Sequence, residues 1–133
     1  MRSMLSWSLA VGLVAMLGCS DNNSPSGGGD GGGGGGGNPG TVTIGNIFFQ
    51  SGNNGTQNPA IDTVAAGTTV TWTLTNTGST SHTVRSDGSP SFTSSGTLTG
   101  NGTTHKVTFM TPGTYQYDCA IHGALMTGRI VVQ

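Results

Sequence analysis

Apolar residues downstream of residue 40 recur with the spacing of β-strands. In the clearest segment Val70, Trp72 and Leu74 alternate with threonines, and this period-two alternation turns one set of side chains towards a core and the other towards solvent. Clusters of Gly, Asn, Ser and Pro interrupt the apolar segments at short intervals, as turns do between strands. No segment shows the period of an amphipathic helix. The pattern predicts an all-β domain with Trp72 in its core.

Seven or eight short strands are expected between residues 41 and 133. A first strand should begin at Val42 and continue past a bulge near Gly45 to Phe49. The other predicted strands cover residues 61–64, 70–75, 82–84, 97–99, 105–109, 115–119 and 129–132. This number of strands in about 93 residues suits a Greek-key sandwich of two sheets.

The N-terminal part of the chain has the composition of an export signal followed by a tether. Residues 1–18 combine Arg2 with an apolar run that is shorter than the roughly 20 residues a membrane span needs, and they are interpreted as a signal peptide. Residues 19–40 contain ten glycines between positions 27 and 37. Because this segment lacks apolar residues to bury, we expect it to be a flexible tether.

Cys19 is the expected membrane anchor. The sequence Met16-Leu17-Gly18-Cys19 resembles the cleavage box of bacterial lipoproteins, in which the cysteine becomes the acylated first residue of the mature protein. Several acyl chains would hold the protein durably on a membrane. The resemblance implies an exported protein on the periplasmic or cell-surface side, and Ser20 after the cysteine favours an outer membrane where the organism has one.

The charge balance excludes one class of partner. From Cys19 onwards the chain carries three positive and five negative side chains, a net charge of 3 minus 5, or −2. They are Arg85, Lys106 and Arg129 against Asp21, Asp30, Asp62, Asp87 and Asp118. Without a basic cluster, binding to nucleic acid is not expected. The chain contains no glutamate, which excludes chemistry that depends on one.

The candidate chemistry lies between Cys119 and Met126. With Cys19 assigned to the anchor, Cys119 has no partner for an intramolecular disulfide in an oxidising compartment. His122 and Met126 follow within eight positions, and His82 precedes Cys119 by 37 residues on a predicted strand. One thiolate, two imidazoles and a weak thioether are typical of a mononuclear blue-copper centre. Core packing is the alternative role for Cys119 and Met126.

These residues carry a resemblance to a family. The stretch Pro112–Val132 and the upstream segment Val70–Val84 resemble the ligand-bearing parts of cupredoxins, in particular the plastocyanin, pseudoazurin and amicyanin group. The resemblance covers residues 41–133. The Cys-to-His spacing is similar to that of plastocyanin, whereas the His-to-Met spacing is more similar to that of azurin.

The resemblance implies the role of each site residue. His82 and His122 would bind one type 1 copper ion through imidazole nitrogen, Cys119 through its thiolate and Met126 as a long axial ligand. Electrons would pass through His122, and Leu125 would belong to the docking surface around it. Many members of the family have an asparagine after the upstream histidine, where this chain has Thr83.

The implied function is single-electron transfer by a monomer rather than catalysis. The redox partner would be a protein such as a cytochrome or a copper oxidase, and the membrane would be contacted through the lipid anchor. Three histidines are too few for a multicopper oxidase or a copper nitrite reductase. Two alternatives stay open: a copper-binding or copper-delivery protein without a redox partner, and a metal-free β-sandwich module.

Overall fold

The structure is a computed structural model that describes residues 37–75 and 77–133. The predicted signal peptide, the predicted acylation of Cys19 and most of the predicted tether lie outside the described residues. Within the described part of the chain, no helix has the length and apolar character needed to cross a membrane.

In the part of the chain that the structure describes, eight strands form two mixed four-stranded sheets. The strands of the first sheet, in spatial order, are β2 (Phe48–Ser51), β1 (Thr41–Gly45), β4 (Thr68–Leu74) and β6 (Thr104–Phe109). The strands of the second sheet are β3 (Ala60–Val64), β8 (Gly123–Val132), β7 (Gly113–Cys119) and β5 (Arg85–Ser86). The pairs β1–β4 and β3–β8 are parallel and the others antiparallel. The predicted all-β sandwich is confirmed.

The first predicted strand is in fact two strands. β1 and β2 pair as an antiparallel hairpin, with Gly45 opposite Phe48, and the chain reverses at Asn46 and Ile47. Ile47 has a φ of 60°, a left-handed conformation that is unfavourable for a β-branched residue. Alternating apolar residues on both sides of this tight turn imitate one continuous strand, which is why the sequence pattern predicted a bulge there.

One end of the sandwich collects the residues of the predicted metal site. Residues 65–67 alone separate the end of β3 from the start of β4, so both lie at one end of the molecule. Because β8 runs parallel to β3 and β1 parallel to β4, the start of β8 and the ends of β1, β4 and β7 lie at the opposite end. We call this the Cys119 end.

The core lies between the two sheets. Trp72 is fully buried, as its alternation predicted, and contacts Tyr117 edge-on with 5.4 Å between ring centroids. Phe49 packs against the other side of Tyr117, 4.9 Å between ring centroids. Edge-to-face aromatic pairs of this kind add to the burial of apolar area. The inward face of β3 is unusual, because the carboxyl group of Asp62 is fully buried there.

Residues at the end of the predicted tether contact the domain. The Gly40 amide donates to Asp62 Oδ2 at 3.0 Å, and the Asn38 amide donates to the Gly52 carbonyl at 3.1 Å. These bonds join the entering chain to both sheets, at the edge formed by β2 and β3.

Candidate metal centre

His82 is held at the Cys119 end by a single β-bridge between two segments of the chain rather than by a regular strand. Its amide donates to the Leu98 carbonyl at 3.1 Å, and the Leu98 amide donates back to the His82 carbonyl at 2.8 Å. His82 and Val84, which are two positions apart, are both fully buried. The His82 ring therefore lies inside the sandwich, and packing restricts its orientation.

Cys119 and His122 lie at the tight turn between β7 and β8. The His122 amide donates to the Cys119 carbonyl at 3.0 Å. The pairing of the two strands then shifts, since Asp118 pairs with Thr127 whereas Cys119 pairs with Gly123. Irregular pairing of this kind is frequent beside functional sites because it redirects side chains.

The pairing shift separates two neighbouring side chains. Residues 124–126 lie between the two registers, and in this short segment Leu125 is 71% exposed whereas Met126 is fully buried. Met126 thus projects into the sandwich from the strand that begins at the His122 turn. The predicted axial ligand and the predicted docking residue have opposite orientations.

The donor atoms of three residues converge. Cys119 Sγ lies 3.9 Å from Nδ1 of His82 and 3.4 Å from Nδ1 of His122, and the three atoms lie within 4.8 Å of one another. The two imidazole rings are 5.0 Å apart between centroids. Cys119 and His82 are fully buried, whereas His122 is partly exposed. Two ligands are thus shielded from water and the third reaches the surface.

This arrangement fits a single metal ion with one sulfur and two nitrogen ligands. Metal bonds of about 2.3 Å to a thiolate and about 2.0 Å to an imidazole separate the two donor atoms by about 3.7 Å at a trigonal angle. The distances from Cys119 Sγ to Nδ1 of His82 and to Nδ1 of His122 match this geometry. Burial lowers the pKa of His82, and the nearby His122 ring acts in the same direction. The neutral imidazole that a metal requires is therefore the favoured form of His82.

Thr83 joins the two ligand segments. Its amide donates to Cys119 Sγ at 3.4 Å, and its hydroxyl lies 3.9 Å from the same sulfur. The amide of Ala120 donates to the Thr83 hydroxyl oxygen at 2.8 Å. In the sequence, Thr83 stands out only because many members of the family have asparagine at this position. In the structure, its side chain contacts residues that are 36 and 37 positions away.

A second contact fixes the same two segments. Arg85 and Asp118 face each other across β5 and β7, and the guanidinium donates through Nε to Asp118 Oδ1 at 2.8 Å and through a terminal nitrogen to Oδ2. A bidentate ion pair of this kind restrains the orientation of both side chains in addition to its electrostatic attraction. Hydrogen bonding and charge from Asp118 raise the pKa of Arg85. Asp118 immediately precedes Cys119 in the chain, and the sequence patterns did not identify its pairing with Arg85.

The third histidine stays outside the cluster. His105 on β6 is partly buried, and its Nε2 lies 3.0 Å from the Thr93 carbonyl. Its ring packs at a centroid distance of 5.7 Å from Trp72. His105 therefore serves as an internal comparison for the two clustered histidines.

Comparison with known proteins places the chain in a family. The model of the cupredoxin-like domain matches residues 50–132, and the chain belongs to this family. The fold is similar to a purple cupredoxin from Nitrosopumilus maritimus, with 25% identity and a TM-score of 0.55 over 70% of this chain and 98% of that one.

Two further solved structures show the range of proteins with this fold. An oxidised point mutant of amicyanin is 23% identical with a TM-score of 0.56, over 71% of this chain and 82% of that one. A copper-containing nitrite reductase from Thermus scotoductus is 26% identical with a TM-score of 0.53. The match covers 71% of this chain but only 22% of the reductase, so the chain corresponds to a fraction of that enzyme.

Proposed function

We propose that this protein is a mononuclear type 1 copper protein that carries single electrons between redox partners. The observation that carries the proposal is the convergence of Cys119 Sγ with Nδ1 of His82 and His122 at one end of a cupredoxin-like sandwich. One soft thiolate and two imidazoles suit both oxidation states of copper. Copper supplies the one-electron Cu(I)/Cu(II) couple, and the protein residues hold the ion and exclude water.

Met126 is proposed as the axial ligand. It is fully buried and follows the turn that carries Cys119 and His122. Among the described residues, the other methionine is Met110, which is 71% exposed at the opposite end of the sandwich. A thioether weakly bound to copper is a known means of adjusting the reduction potential of such sites.

Electron exchange is proposed to occur at the Cys119 end, through His122. Of the four large apolar residues that are exposed in the described part of the chain, three lie at this end: Ile47, Ile121 and Leu125, with exposed fractions of 43%, 53% and 71%. The described residues of the connecting segments there, residues 46–47, 75, 77–81, 99–103 and 120–122, include no charged residue. A partner should therefore dock through an apolar, uncharged surface around its own redox centre, with little electrostatic steering.

A role as an electron carrier is favoured over catalysis and over copper delivery. The ligand set is compact, and the thiolate is fully buried rather than presented on the surface. Delivery requires ligands that a partner can reach, whereas here His122 alone of the three is partly exposed. The nitrite reductase in which this fold also occurs is several times longer than the matching region.

The proposed location is the outer face of the cytoplasmic membrane or beyond, with Cys19 acylated and residues 20–40 as a tether. The support comes from the sequence of residues 1–40. Expression of the full chain in medium with a labelled fatty acid should give a labelled protein in the membrane fraction, and Cys19→Ala should remove the label. Equal labelling of both forms would contradict acylation of Cys19 without bearing on copper.

The central test is the addition of Cu(II) to the purified protein. We expect an intense visible band from charge transfer between the Cys119 thiolate and copper, and reversible bleaching on one-electron reduction. Cys119→Ser should bind copper without the band, and Met110→Leu should behave as the unmodified protein. If the unmodified protein holds copper and stays colourless, the electron-carrier function is wrong.

A further inference from the structure

We propose that the end of the domain opposite Cys119 is a membrane-contact surface, which lies against the bilayer that holds the lipid anchor and turns the metal centre away from it. We call this end the tether end. It consists of residues 37–40, 65–67, 110–112 and 133. The inference rests on the proposed acylation of Cys19, and it adds an orientation that an anchor alone does not imply.

The chain enters the domain at the tether end. The Asn38 amide donates to the Gly52 carbonyl at 3.1 Å, and the Gly40 amide donates to the buried carboxyl group of Asp62 at 3.0 Å. The Gly40 carbonyl accepts in turn from the Thr71 amide at 2.8 Å. These bonds hold the last residues of the proposed tether against the sandwich, so the point at which the tether leaves the domain is fixed.

The tether end presents apolar side chains and no charged one. Met110 is 71% exposed there. Four smaller apolar residues of this end are exposed as well: Pro39, Ala65, Ala66 and Pro112. Because the residues of this end include no charged side chain, the surface can enter the headgroup region without burying a charge. It also lacks the basic residues that select anionic lipids, so a zwitterionic bilayer is the partner that fits.

The length of the tether favours this end over the Cys119 end, although the Cys119 end is the more apolar. Strand β8 is ten residues long and runs from the Cys119 end to the tether end, a span of about 33 Å. Residues 20–36 join Cys19 to the described domain, and a glycine-rich coil of 17 residues has an average reach of about 21–25 Å. Bringing the Cys119 end to the membrane would stretch the tether beyond this reach, at a cost in chain entropy.

Attachment makes a weak contact effective. A domain on a short tether meets the membrane at an effective concentration in the millimolar range, so a few apolar side chains suffice to favour the docked orientation. The Cys119 end then faces the aqueous space, about 33 Å from the bilayer. The redox partner is therefore expected to present its own centre in that space rather than within the plane of the membrane.

The experiment measures which end lies nearer to the bilayer. The acylated full chain, with isotope-labelled methionine and leucine methyl groups, is placed in phosphatidylcholine nanodiscs that contain a lipid with a gadolinium chelate on its headgroup. Met110 and Leu125 are both 71% exposed, so their methyl groups report on the two ends with equal accessibility. We expect paramagnetic relaxation of the Met110 methyl to be about fivefold faster than that of the Leu125 methyls. The protein is kept reduced, because Cu(II) would itself relax nearby methyl groups.

The same substitution at each end provides a matched pair of variants. Ala66→Asp places a charge in the tether end, and it should reduce the difference between the Met110 and Leu125 methyl groups to less than about twofold, because a carboxylate resists transfer out of water. Ala124→Asp places the same charge at an exposed position of the Cys119 end, and it should leave the difference unchanged.

The possible results separate the orientation from the anchor. Equal relaxation of the two methyl groups in the unmodified protein would mean that the domain turns freely, and faster relaxation of Leu125 would mean that the Cys119 end lies on the membrane. Either result overturns the proposed orientation and leaves the lipid anchor and the copper function unaffected. If the full chain takes up no labelled fatty acid, the anchor is wrong and the membrane-contact surface is wrong with it. Copper binding is tested separately, by the thiolate–copper band.

Discussion

The phenol ring of Tyr117 lies directly against the α-carbon of Gly128 on the neighbouring strand. The two residues are paired across β7 and β8, and a methyl group on residue 128 would overlap the ring carbons and the hydroxyl oxygen of Tyr117. Because Trp72 and Phe49 pack against other sides of this ring, Tyr117 has no free direction in which to move.

Gly128→Ala should therefore destabilise the fold. Overpacking of a filled core costs about 1–3 kcal/mol, and we expect a loss of this size in the free energy of unfolding by denaturant titration. Gly96→Ala is the matched control, since a methyl group there meets no atom within 4 Å. Equal unfolding midpoints for the two variants would show that the Tyr117 ring can be displaced.

Asp62 should make the stability of the domain depend on pH. Burial raises the pKa of its carboxyl group, opposed in part by hydrogen bonds from the amides of Gly40 and Thr63. Within the described residues its Oδ1 has no hydrogen-bond partner. A raised pKa means that the folded state holds the proton more tightly than the unfolded state. The free energy of unfolding should therefore fall as pH rises above the ordinary aspartate pKa of about 3.9.

Asp62→Asn should remove this penalty, because the amide is neutral at every pH and still accepts from Gly40. We expect it to stabilise the domain by about 1 kcal/mol at pH 7, with the difference vanishing towards pH 3. Asp87→Asn, at an exposed position, should have little effect at either pH. A less stable Asp62→Asn variant at pH 7 would mean that the buried carboxylate is favourably paired.

Leu125→Asp should slow electron transfer without altering the metal site. Leu125 is exposed beside His122, whereas Met126 turns inward, so the visible spectrum of the copper form should be unchanged. We expect self-exchange between Cu(I) and Cu(II) copies, measured by NMR line broadening, to fall about tenfold or more because two like charges then face each other.

Met110→Asp is the matched control for this experiment. Met110 is equally exposed, at 71%, but follows β6 at the other end of the sandwich. Its substitution should leave self-exchange unchanged. Similar slowing by both variants would contradict docking at the Cys119 end.

His122→Ala should remove the stabilisation that copper provides. A ligand that binds only the folded state stabilises that state by about 4 kcal/mol when the free ligand concentration is a thousand times its dissociation constant. We expect a large copper-dependent rise in the unfolding temperature of the unmodified protein and a much smaller one for His122→Ala. His105→Ala, outside the cluster, should keep the full rise, and loss of the rise in both variants would contradict the assigned ligand set.

Much of the fold can be predicted from local sequence patterns. Alternation at Val70, Trp72 and Leu74 is enough to identify the buried face of β4, because side chains on a strand alternate whatever the strand packs against. Tyr115, Tyr117 and Cys119 share one face of the predicted strand 115–119 for the same reason, and all three are buried. The compact spacing of Cys119, His122 and Met126 likewise needed no tertiary structure to suggest a soft metal.

Other features depend on segments that are distant in sequence, and local patterns could not predict them. The hairpin at Ile47 resembled one strand because both arms alternate. Asp62 is buried since Gly40 supplies a donor 22 residues away. Thr83 acquires its role through Cys119 and Ala120, 36 and 37 positions further on. Thus the sequence by itself determined the strand faces and the candidate ligands, through short-range spacing, whereas the contacts that hold those ligands in place were decided by the packing of one sheet on the other.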